Sequence, residues 1–133
     1  MATTYFDETQ LLDMVFERFK DGNSPLWQQL VDRTENAIID FAKTKGIFTA
    51  TDIDTPLHFQ LADWSRAYFY SSLAKIVVGI NDISADERDK YAMKGSMYSS
   101  EMKALEPKIT KEMINGSSDT RGDRSATTLL YRS

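Results

Sequence analysis

The chain has 133 residues, a net charge of −4 and no cysteine, and 41% of it is hydrophobic. That length and balance fit one domain able to bury a core, and the lack of cysteine excludes disulfides and thiolate metal sites. Acids outnumber bases over residues 1–83, balance them over 84–114 and fall slightly short of them after that, which is not the concentrated basic footprint of an autonomous nucleic-acid binder.

The start, MATTYFDETQLL, has neither the basic lead nor the apolar run of a secretory signal, so a cytosolic product is expected. Residues 8–20 place Leu11, Leu12, Val15, Phe16 and Phe19 at helical spacing, which predicts a short amphipathic helix. Asp21-Gly22-Asn23 then breaks the chain. Ser24-Pro25 is a cap followed by a proline at the first helical position, and a second helix is predicted from there to about Lys45. Leu26, Leu30, Ala37, Ile38, Phe41 and Ala42 form its inner stripe, while Asp32, Arg33, Glu35, Asp40 and Lys43 read as its solvated face. Residues 47–55 are β-branched and polar and fit a loop or one brief strand. Asp52 and Asp54 lack the glycine and closing glutamate of a calcium loop, so turn and capping work is expected of them.

The stretch 56–79, PLHFQLADWSRAYFYSSLAKIVVG, is apolar around most of its girth, as in a helix contacted from several sides. Thr55 reads as its N-cap, Pro56 as its first residue and Gly79 as the left-handed residue that ends it. Asp63, Arg66 and Lys75 make it a poor membrane span. Ser84 then caps a further helix in which Tyr91, Gly95, Tyr98, Met102, Leu105, Ile109 and Met113 recur at steps of three and four. A seam this narrow packs along a single neighbour, and the expected neighbour is another copy of the chain. Gly95-Ser96 weakens the middle of this helix, and Pro107 predicts a kink or restart near Glu106.

From Asn115 the sequence turns small and polar, too poor in apolar groups to fold alone. Leu129, Leu130 and Tyr131 stand out as anchors for a partner's groove, with Arg121, Arg124 and Arg132 to meet its carboxylates. Arg121-Gly122-Asp123 and the sequon at Asn115 are read as chance matches. The organisation is therefore a helical domain over 1–114 and a C-terminal arm over 115–133. The fold class is all-α, a bundle of about four helices around the long one at 56–79.

No stretch carries recognisable chemistry. His58 is the single histidine and fits a capping role better than catalysis. There is no phosphate-binding glycine loop and no nucleophile-elbow frame. The carboxylates Asp86, Glu87 and Asp89 sit where a helix start explains them. No enzyme activity, cofactor or metal is expected.

The order of elements, with the run Tyr91, Lys94, Tyr98 and Glu101 and the polar arm, resembles the small helical head–tail connector (adaptor or neck) proteins of tailed bacteriophages. The resemblance implies a virion neck protein, made in the host cytoplasm, whose copies form a ring, about twelve in such families, as cyclic symmetry allows. It further implies contact with a portal protein and with a tail or stopper protein, and DNA passing through the lumen without specific binding. No membrane association is implied. The alternative from another class is a small cytosolic helical regulator that binds a partner protein without catalysis.

Overall fold

The computed structural model describes residues 4–22, 24–79 and 84–116. Five α-helices occur among the described residues, with no strand: α1 (Met14–Gly22), α2 (Ser24–Thr44), α3 (Phe59–Val78), α4 (Ala85–Leu105) and α5 (Lys111–Asn115). The all-α class is thus what the structure shows. Helix α3 lies between α2 and α4 and packs along much of α4. Its burial follows from its sequence, since Leu61, Trp64, Ala67, Phe69, Tyr70, Leu73, Ala74 and Val77 are all buried.

Three aromatic groups build the core. Phe16 of α1 stacks on Tyr70 of α3 with ring centroids 5.0 Å apart and meets Tyr91 of α4 at 5.3 Å. Phe69 touches Trp27 of α2 edge-on at 4.9 Å and Phe6 at 5.6 Å. Trp64 stacks on Phe41 at 4.6 Å. Each group joins at least two elements, and large rings bury much apolar area per contact.

Local signals place several boundaries. Ser84 accepts the Glu87 amide at 3.2 Å and opens α4. Pro107 stands inside a 3-10 turn, Glu106–Lys108, so the helix stops at Leu105. Thr110 then caps α5 through the Met113 amide at 3.2 Å, and Gly116 ends it with a φ of +78°. Residues 50–52 form a 3-10 turn rather than a strand.

Other boundaries differ from the sequence reading. Residues 8–20 do not form one helix. A 3-10 turn covers Glu8–Gln10, and Asp7 and Asp13 each cap a separate element by accepting the amides of Thr9 and Val15, both at 3.0 Å. The break lets Leu11 reach the core while Leu12 faces outward. Helix α3 begins at Phe59, three residues later than Pro56 suggested, because His58 is the cap that accepts the Gln60 amide. Phe59, at the first helical position, lies against the His58 ring and is exposed rather than part of the stripe. Gly79 is right-handed at φ −81°, so its freedom to turn left is not used. Asn115 belongs to α5, which carries the helical part just past the expected boundary at 114.

Candidate functional site

The densest polar constellation gathers where α1 starts against α4. Asp13 receives Lys94 Nζ at 3.0 Å and the Tyr98 hydroxyl at 2.5 Å on one carboxylate oxygen, and the Val15 amide at 3.0 Å on the other. Its own amide donates to the Tyr70 hydroxyl at 2.9 Å. One residue pair further along, the Tyr91 hydroxyl donates to the Val15 carbonyl at 3.1 Å. The carboxylate side chain is only 8% exposed.

Burial pushes the Asp13 carboxyl up, but the bonds from Tyr98, Lys94 and Val15 together outweigh it and hold the group below its usual range. Burial, and then the adjoining carboxylate, raises Tyr98. Burial likewise raises Tyr70. Asp13 therefore stays ionised and Tyr98 stays protonated across the neutral range. A pair fixed in these states ties helices together and is poorly suited to exchanging protons, since a general acid or base works best with a pKa near the operating pH.

Three more carboxylates act as ties. Glu35 of α2 accepts the backbone amides of Thr4, Tyr5 and Phe6 at 2.8–3.1 Å. Glu8 accepts the Trp27 indole N–H at 3.3 Å, and Glu106 accepts that of Trp64 at 3.1 Å. Glu35 was placed on the solvated face by its spacing. It is half-buried because the N-terminal segment folds back over it, a long-range contact that periodicity along α2 does not contain.

The α4 seam lies inside the protomer. Tyr91, and Ile109 beyond the end of α4 rather than within it, are buried, at 6% and 1% exposure, while Tyr98, Met102 and Leu105 pack half-buried against the same core. Within the protomer, α4 packs along α3, and the Phe16 ring of α1 meets Tyr91 and Tyr98 of the seam. The arm residues Arg121, Arg124, Leu129, Leu130, Tyr131 and Arg132 lie outside the described residues. His58 acts as a helix cap. No group of three or more histidine, aspartate or glutamate side chains able to hold a metal ion occurs among the described residues. No described helix is long and apolar enough to cross a membrane.

Part of what the fold leaves open is apolar. Along α4 only Tyr91 is buried. Met93 and Met97, one turn apart on its outer side, are 74% and 50% exposed. Two grooves run beside α3. One, of about 350 Å³, is lined by Ala37, Asp40 and Phe41 of α2 and by Trp64 and Tyr68 of α3. The other, of about 490 Å³, lies between α3 and α4 and is lined by small residues with Lys75 and Lys103 at its edges. Neither the N-terminal segment nor α1 contributes to either groove. In comparisons with known proteins, the chain matches no family model, no curated protein and no solved structure.

Proposed function

We propose that the protein is a non-catalytic structural subunit, a head–tail connector of the tailed-bacteriophage kind, which assembles into a ring of about twelve copies beneath a portal. The observation that carries this reading is the one-sided packing of α4: a 21-residue helix with a single buried residue and two exposed methionines on its outer side. Exposed large apolar groups at helical spacing serve contact with another protein surface. The polar clusters inside the fold, by contrast, serve as internal ties, as at Asp13, Glu35 and Glu106.

The net acidic chain suits a lumen past which DNA phosphates slide without being held. On this reading α1 joins α2, α3 and α4 as a four-helix bundle. The subunit interface uses the Met93–Met97 side of α4 in place of the buried seam, and the arm from residue 117 onward meets the portal or a neighbouring copy. A tail or stopper protein closes the other end, and the assembly resides in the virion neck.

The test is the pair of substitutions Met93→Glu and Met97→Glu, made together on the full chain. Both side chains are exposed, so the protomer should keep its helical circular dichroism and melting temperature while the ring disappears from negative-stain images. Rings of normal abundance in the double variant would overturn the assignment of this face.

A further inference from the structure

We propose that residues 129–132 of this chain, Leu-Leu-Tyr-Arg, dock in the α2–α3 groove of their own protomer until a partner displaces them. The groove presents an apolar floor of Ala37, Phe41, Trp64 and Tyr68, with Arg33 and Asp40 exposed at its rim. Phe41, Trp64 and Tyr68 form one continuous stack, with centroid spacings of 4.6 and 5.6 Å. Such a surface accepts flat or branched apolar side chains. Leu129, Leu130 and Tyr131 are three such residues in a row within a stretch that is otherwise small and polar. Arg132 follows directly and can meet Asp40, which stands 4.0 Å from Lys43 in an exposed pair, on a rim that also carries Arg33. A pair that loose re-forms around a second cation at little cost.

Reach favours the chain's own groove. The described fold ends at Gly116, and twelve residues separate it from Leu129, an extended span of about 40 Å. Gly116 lies beside Asp54, and the Asp54 amide donates to the Ile114 carbonyl at 2.8 Å. The Lys111 side chain lies over Gly46, two residues past the end of α2. The segment therefore leaves the fold at the end of the molecule where Thr44 closes the groove. At 21 residues, α2 is about 32 Å long, so the span covers the groove from end to end. A tether of this length holds its end at an effective concentration near the millimolar range, above that of a second copy in dilute solution.

The docking concerns the free protomer and stands without the connector reading. If that reading holds, a portal or neighbouring subunit that takes the arm must first draw it from the groove, which keeps three apolar side chains covered before assembly.

Because the chain has no cysteine, a pair of introduced ones reports contact cleanly. Asn36 lines the α2–α3 groove and Ser96 the α3–α4 groove, both exposed. In dilute full-length protein, Asn36→Cys with Thr128→Cys should close an intrachain disulfide at least about tenfold faster than Ser96→Cys with Thr128→Cys. Adding Leu129→Ser, Leu130→Ser and Tyr131→Ser should bring the faster pair down to the slower one. Equal rates for the two pairs, or bonds formed mainly between chains when isotopically light and heavy protein are mixed, would overturn the docking.

A second readout needs no cysteine. The triple serine variant should shift the NMR signals of Trp64 and Tyr68 while leaving Trp27, which lies away from the groove, in place. Unchanged Trp64 and Tyr68 signals would overturn the proposal. Both readouts use the unassembled protomer, so failure to form rings leaves them intact. A chain that forms rings yet shows neither effect rejects the docking alone.

Discussion

A Cβ on Gly95 would stand 2.7 Å from the Cβ of Ala74, closer than two such atoms ever come. The glycine that the sequence offers as a weak point of α4 is where α4 comes too close to α3 for a Cβ to fit. Gly95→Ala gains about 1 kcal/mol of helix propensity but forces the helices apart, and overpacking costs about 1–3 kcal/mol. The expected outcome is a net loss of about 1 kcal/mol in a denaturant melt, with a larger loss for Gly95→Leu. A stabilised Gly95→Ala chain would show that the two helices do not meet there.

The Asp13 cluster gives stability a definite dependence on pH. The folded state holds this carboxyl below its ordinary value, so the unfolded chain binds its proton first as pH falls. Its contribution is therefore complete above about pH 5 and is lost as pH drops through the folded value. Asp13→Asn should lower stability near neutrality by about 1–3 kcal/mol, the cost of breaking a buried charge-assisted hydrogen-bond set. The gap to wild type should narrow below about pH 4. Urea melts of both proteins at several pH values check this; a gap that stays constant down to pH 2 or widens on acidification would contradict it.

Glu35 holds the N-terminal segment through three successive amides. Glu35→Ala should raise hydrogen exchange at Tyr5 and Phe6 by about tenfold or more, because local opening follows the free energy of the local bonds. Exchange in α3 should change only in step with global stability. Unchanged rates at Tyr5 and Phe6 would mean that Phe6, packed on Phe69, holds the segment unaided.

Much of this was readable from local signals. The Ser24-Pro25 start of α2, the Ser84 cap of α4 and the stop at Pro107 depend on residues within a turn of the boundary. The start of α3 was only partly readable: a capping role was expected of His58, but a threonine–proline pair opens a turn as readily as a helix, so the boundary falls three residues later than Pro56 suggests. The three- and four-residue steps from Tyr91 through Gly95, Tyr98 and Met102 to Leu105 announced a seam, but spacing along one helix carries no information about which surface it meets. The partners Asp13 and Tyr98 are 85 positions apart, and those of Glu35 lie about thirty positions back along the chain. Such carboxylates look like any solvated acid until the chain closes over them. The arm's residues belong to no periodic pattern, and their role rests on the proposals above.

The most direct measurement of the central claim is the mass of the full-length chain by sedimentation velocity across a wide concentration range, alone and with a portal protein. The connector reading predicts a discrete species near twelve times the 15.2 kDa protomer mass, closed rather than open-ended as cyclic symmetry requires. A chain that remains a monomer or dimer at every concentration, with and without the portal, would contradict it and favour a small protein-binding regulator.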